Sequence, residues 1–276
     1  MKDLLQQADR IPVTLVVAIA YVTMFALTNL QTPDDEIVAA LAEHGWLTPQ
    51  LAASGEPWRL LTYAFVHGGL LHIGFNTFAL LAIGPALETA LGSVRFALVY
   101  AVAALGGGIA VCVTNQPFQP VVGGSGALFG MMGALLAKNM RSGRHLFSFL
   151  EFEGPRRLVG LIVVNLVIGM VLPFISNAGH VGGLIAGFCL LFFWLDPGRE
   201  PTPTLKRYRV ALTALGCGLL FWSIAPAARY DTLWNGAVGD GSAHGDAMRR
   251  AAVMDYVEKL EIGAIDEAAF RTRFLK

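Results

Sequence analysis

Long stretches almost free of charge recur along this chain, and they constrain its fold more than any motif does. They lie at residues 11–30, 69–86, 96–113, 125–137, 158–174, 179–195 and 210–224. A bilayer crossing takes roughly 20 mainly apolar residues, and a continuous apolar run crosses as a helix because only then are its backbone polar groups satisfied in lipid. The fourth stretch is short for a full crossing. Charged residues make up 14% of the 276, against roughly 25% in an ordinary soluble domain, and mean hydropathy is +0.57. The expected fold class is all-α, a polytopic membrane helix bundle in contact with the lipid bilayer.

The segments between the stretches refine that expectation. The first stretch follows Lys2 and Arg10, as a signal peptide would. It is long for a signal peptide's apolar region and lacks a clear small-x-small cleavage site, so it is read as an uncleaved first helix. Residues 31–58 hold Asp34, Asp35, Glu36, Glu43 and Glu56, with apolar Ile37, Leu41, Trp46 and Leu51 between them. Such a segment lies partly in the membrane interface. Residues 229–276 return to soluble composition, which divides the chain into a transmembrane domain, 1–228, and an extramembrane tail, 229–276. Cys112, Cys189 and Cys217 lie in apolar stretches without paired spacing, as small packing residues do. The formal net charge is zero, so no nucleic-acid partner is implied.

Orientation follows from the Lys and Arg near the spans. Lys138, Arg141, Arg144, Arg156 and Arg157 follow the fourth span, and Arg199, Lys206, Arg207 and Arg209 follow the sixth. Residues 115–123 and 175–178 carry neither Lys nor Arg. The N-terminus is therefore expected in the cytoplasm and the C-terminal tail outside. The second, fourth and sixth spans then all begin at the outer face.

Three polar clusters interrupt the apolar background, and each lies near the start of one of those three spans. They are His67-Gly68-Gly69-Leu70-Leu71-His72 with Asn76, Gly123-Gly124-Ser125-Gly126, and Gly179-His180-Val181-Gly182-Gly183. Polar groups at membrane depth are costly when unsatisfied, and they point to function or to paired structure. A serine hydroxyl is a weak nucleophile until a base takes its proton, and histidine suits that task. Ser125 at a helix start has free backbone N–H groups beside it for a developing oxyanion. His72 and Asn76 share a helix face and could complete that site. Gly126, Gly130, Gly133, Gly183 and Gly187 mark the fourth and sixth spans, and small residues at this spacing let membrane helices approach closely.

These residues resemble rhomboid intramembrane proteases. The resemblance rests on Gly123-Gly124-Ser125-Gly126 as a Gly-x-Ser-Gly motif, on His180, Gly183 and Gly187 as a His-x-x-Gly-x-x-x-Gly helix, and on His67, His72 and Asn76 in the second span. Trp58-Arg59, and Gly84, Glu88 and Gly92 spaced by four, also match. The resemblance covers roughly residues 11–195. It implies a six-helix core, with residues 210–224 as the seventh helix of a six-plus-one variant. It implies a Ser125–His180 catalytic dyad without a third acid, oxyanion binding by His72, Asn76 and the Ser125 amide, and no cofactor. Single-pass membrane proteins, cut near the outer face, are the implied substrates. A bacterial inner (plasma) membrane is the expected location. One departure is visible: the family often has Tyr four residues after the nucleophile, and here it is Phe129. That ring can stack on His180 but lacks the hydroxyl.

The same residues admit other readings. A Gly-Ser-Gly turn also serves as a plain helix cap, and His72 with Asn76 could be a structural hydrogen-bonded pair. His67 reads as structural, tying the loop to the second span. Trp58 and Arg59 read as an interfacial anchor, and Glu88, near the cytoplasmic end, as a residue that holds helices together. No metal-ligand pattern accompanies the histidines. A rhomboid-like, non-catalytic protein that binds membrane clients is the alternative function, but such proteins typically lack the serine or histidine kept here. A transporter would place its polar groups nearer the midplane with internal repeats, and no repeat is visible.

Overall fold

The structure, a computed structural model, describes residues 8–33, 37–53, 56–114, 120–141, 153–171, 175–195 and 203–224. The expected tail, 229–276, and the division at 228 lie outside the described residues. So do 142–152 and 196–202, which carry part of the charge bias behind the expected orientation.

Among the described residues the fold is all-α. Seven longer helices follow the apolar stretches: α1, Pro12–Phe25; α2, Leu70–Leu91; α3, Ser93–Thr114; α4, Ser125–Arg141; α5, Glu153–Val171; α6, Asn177–Phe193; and α7, Pro203–Ile224. A π-helical segment, Ala26–Leu30, prolongs α1, and the two together with α2 and α3 are long and apolar enough to cross a membrane. The side chains that face outward are themselves apolar, such as Val16 and Ile19 on α1, Phe75 and Phe78 on α2, and Val163 and Val167 on α5. A soluble bundle would place polar residues there; lipid accepts these.

Several sequence-based boundaries shift, those of α2 and α7 among them. The second span was expected to close at residue 86, but α2 runs on to Leu91. Glu88 thereby falls within the helix and is buried, and its environment explains why that is tolerated. Its Oε1 accepts from the Val13 amide at 2.9 Å, and its Oε2 accepts from the Thr14 amide at 2.8 Å and the Thr14 hydroxyl at 2.7 Å. The carboxylate thus satisfies orphan donors at the start of α1 and faces the positive end of its dipole. Glu88 does hold helices together, by capping one with a side chain from another. The seventh span was expected from residue 210, whereas α7 begins at Pro203, where proline is compatible with a first helical turn.

At the centre, α4 is buried on every side from Gly126 through Ala134. It packs most extensively on α6, and both pack on α3. Small residues make that possible. A Cβ on Gly183 would fall on the Gly126 carbonyl oxygen, and one on Gly187 would fall on that of Gly130. The glycines step along the two helices in the same direction, so α4 and α6 run parallel and begin at the same end of the bundle. Close backbone approach of this kind gains dispersion contacts and weak Cα–H···O bonds, the main attractions available between helices in lipid.

The loop between α1 and α2 is an ordered unit built of short helices, Ile37–Glu43, Pro49–Ala53 and Arg59–Thr62. Its organiser is Arg59, which is buried. The Arg59 Nη1 donates to the carbonyls of Ala42 at 2.7 Å and Trp46 at 2.9 Å, and its Nε donates to Glu56 at 2.7 Å. This corrects the reading of Trp58 and Arg59 as a joint interfacial anchor. Trp58 is exposed, but Arg59 is 2% exposed and staples the loop. The loop then reaches across the bundle: Leu47 and Val121 form an isolated antiparallel bridge, with N···O distances of 2.9 and 2.8 Å.

Candidate active site

Ser125 is the first residue of α4, so its own amide and the next ones have no carbonyl within the helix to bond. The backbone that delivers it is fixed from two sides. Val121 is held by Leu47, and the Gly123 amide donates to the Tyr63 carbonyl at 2.9 Å. Gly123 has φ of +110°, in the left-handed region. A Cβ there would also collide with the His72 imidazole. Glycine at this position therefore does two things: it turns the chain into α4 and lets His72 lie against it.

His180 occupies the first turn of α6. The Ser176 hydroxyl caps that helix by accepting from the Gly179 amide at 3.2 Å. Because α4 and α6 are parallel and in close contact, residues in their first turns meet. The His180 Nε2 lies 2.8 Å from the Ser125 Oγ. The imidazole is 6% exposed, and its Nδ1 is buried without a hydrogen-bond partner among the described residues. The Phe129 ring, one turn into α4, is stacked on it at 4.2 Å between centroids and 7° between planes. A hydroxyl within hydrogen-bond reach of a ring nitrogen, with the ring clamped and shielded, is the arrangement that proton abstraction from a nucleophile requires.

His72 and Asn76 lie one turn apart at the start of α2. Asn76 is 5% exposed. Its Nδ2 donates one proton to the His72 carbonyl at 2.9 Å, which leaves the second N–H, while its Oδ1 has no partner. The His72 ring lies against Gly123, two residues before the serine. The structure thus brings Ser125 and His180 into contact and sets His72 against the backbone that leads to Ser125.

His67 is fully buried, outside the helices. Its Nδ1 lies 3.1 Å from the Phe65 carbonyl, and its own carbonyl accepts from Asn29 Nδ2 at 3.1 Å. Its ring sits edge-on to Tyr21 and to His72. Burial, with His72 beside it, holds its pKa below the usual histidine range. It therefore joins α1 to the start of α2, a wider tie than the loop-to-helix link expected. Tyr21 and Tyr63 went unnoticed in the sequence. The Tyr21 hydroxyl pairs with that of Tyr100 at 2.8 Å, and the Tyr63 hydroxyl donates to the Ala104 carbonyl at 2.9 Å. A Cβ on Gly124 would meet the Tyr21 hydroxyl, and one on Gly126 the Tyr63 hydroxyl. Both buried tyrosines pack against the glycines that flank Ser125, and only their place inside otherwise apolar segments hinted at it.

The chain is similar to known proteins of one family. The family model of the rhomboid domain matches residues 54–197. The chain is 34% identical over 238 residues to the protein named rhomboid protease GluP of Bacillus subtilis, which covers 79% of this chain and 45% of that one. It is 37% identical over 161 residues to RHOMBOID-like protein 5 of Arabidopsis thaliana, covering 57% of this chain and 50% of that one. A third relative is the putative rhomboid protease YdcA of Bacillus subtilis, 34% identical over 144 residues, or 51% of this chain and 68% of its own. The chain spans about half the length of the first two.

Proposed function

Because this chain belongs to the rhomboid family, we propose that it is an intramembrane serine endopeptidase with Ser125 as nucleophile and His180 as general base. The observation that carries the proposal is the 2.8 Å separation of His180 Nε2 and Ser125 Oγ. In the first step Nε2 takes the hydroxyl proton as Oγ attacks the scissile carbonyl. The carbonyl oxygen becomes an oxyanion, held by the Ser125 amide and by N–H donors of His72 and Asn76. Collapse of this intermediate breaks the C–N bond, and His180 gives its proton to the leaving amine. A water, deprotonated by the same Nε2, then attacks the acyl-enzyme and releases Ser125. No carboxylate bonds the Nδ1 of His180 among the described residues; the Phe129 ring sets the plane of the imidazole in its place.

The proposed substrates are single-pass membrane proteins, entering from the bilayer and cut near the outer face. That face follows from the excess of Lys and Arg on the other side of the spans, and a reporter fused after Lys276 tests it. A signal from a reporter that works only in the cytoplasm would reverse the orientation.

The experiment for the dyad uses the purified full chain, a panel of single-pass substrates and a serine-directed fluorophosphonate. The native protein should cut and take the label. Ser125→Ala, which keeps nearly the same volume, should insert and fold but do neither. His180→Ala should lose nearly all cleavage, and the double variant should lose no more than either, since the two act as one unit. Cleavage by the Ser125→Ala protein would sink the assignment.

A further inference from the structure

The seventh helix lies outside the core that carries the motifs, yet it contacts both the helix that bears His180 and the loop bridged to the segment leading into Ser125. At the end far from Ser125, the Arg209 Nε donates to the Phe193 carbonyl at 2.6 Å. The Tyr208 ring also lies 6.1 Å from that of Phe193. Phe193 is the last residue of α6, the helix whose first turn holds His180. Towards its other end α7 packs on α3 and on the short helix Pro49–Ala53, and Leu220 packs against the large apolar core of which Leu47 and Ala52 are two members. Leu47 is bridged to Val121, four residues before Ser125. Most of α7 is exposed; Arg209, Leu212 and Leu220 are among its half-buried residues.

We propose that α7 is a positioning strut for the dyad. Through Leu220 and the Pro49–Ala53 helix it presses the loop so that the Leu47–Val121 bridge stays closed. That bridge fixes the backbone entering α4, and with it the Ser125 Oγ relative to His180. Leu220 is the positioning residue. It touches neither substrate nor the reacting atoms and acts through Leu47 and Val121. The catalytic consequence rests on the dyad reading given above; the mechanical coupling does not.

Two readouts on the purified full chain separate them. The first is amide hydrogen exchange over residues 44–53 and 120–124, which needs no activity. In Leu220→Ala the exchange of both segments should quicken together, because the Leu47 and Val121 amides each donate to the other residue's carbonyl. The second is the rate of fluorophosphonate labelling, with kcat and KM for a single-pass substrate. Leu220→Ala should lower labelling and kcat on the order of tenfold, as a small misplacement of a reacting group does. KM and thermal midpoint should stay close to native. Leu220→Met, which restores the volume, should recover both exchange and rate. Unchanged exchange over the two segments overturns the strut. So does quickened exchange with an unchanged labelling rate, or a loss of rate that Leu220→Met leaves in place. A native protein that takes no label at all overturns the dyad instead, and the exchange measurement still judges the coupling.

Discussion

The Phe129 ring lies flat on the His180 imidazole, 4.2 Å away and 7° from parallel, on the side chain whose Nε2 holds Ser125 Oγ at 2.8 Å. Phe129 and Ser125 are one turn apart on α4, so a single helix presents both the proposed nucleophile and the ring stacked on its proposed base. The base needs little else to fix its plane, because rotation about the ring's bonds would break the stack.

That relationship makes Phe129→Ala a direct test. An aromatic pair contributes about 0.5–1.5 kcal/mol beyond its buried area. Losing it should lower kcat by roughly two- to tenfold through freer motion of the imidazole, by the usual 1.4 kcal/mol per factor of ten. Phe129→Tyr keeps the ring and should stay near native. Steady-state cleavage of a single-pass substrate decides it; native kcat in Phe129→Ala would show that the stack does not orient the base.

Asn76 tests the oxyanion site. Removing one such donor from an acyl-transfer enzyme raises the barrier by about 2.7–4 kcal/mol. Asn76→Ala should approach that loss in kcat with KM little changed, and less if His72 and the Ser125 amide compensate. The fold should survive, since the bond it makes is to the carbonyl of its own helix. Unchanged turnover would remove Asn76 from the site.

The contact between α4 and α6 predicts the effect of volume. Gly183→Val would drive a branched side chain into the Gly126 backbone, which cannot give way as a flexible side chain would. Overpacking costs about 1–3 kcal/mol in well-packed interiors and at times more. Activity and thermal midpoint should fall together, because the same displacement separates Ser125 from His180. Gly160, on α5, has open space where its Cβ would be, and Gly160→Ala should change neither. Full activity in Gly183→Val would show that the helices are not in contact there.

Glu88 predicts a loss of stability away from the chemistry. Hydrogen bonds to a charged group contribute about 1.5–3 kcal/mol each and do not simply add. Glu88→Ala, which removes three acceptor contacts at the start of α1, should destabilise the folded bundle by about 3 kcal/mol in a reversible unfolding titration. Glu88→Gln keeps one acceptor and should lose less. Where either variant is folded, its labelling rate should match the native one; a slowed rate in fully folded protein would mean that the α1–α2 clasp also sets the site.

The sequence by itself determined the class of fold. Charge-free stretches of bilayer length admit few structures other than spanning helices, because lipid leaves no partner for a free backbone N–H. It also marked Ser125, His180, His72 and Asn76 as candidates, since polar residues among apolar ones have few reasons to be there. What it left open is everything that joins residues far apart in the chain. Arg59 beside Trp58 read as an interfacial residue, and only the folded loop turns it onto the carbonyls of Ala42 and Trp46. Nothing local marks Leu47 and Val121 as partners, or Glu88 as the cap of another helix. The meeting of Ser125 with His180 belongs with these. The glycine spacing foretold a close approach but not its register. That register is decided where the Gly126 and Gly130 carbonyls lie against Gly183 and Gly187, a fit of two backbones in contact, which spacing along one chain does not encode.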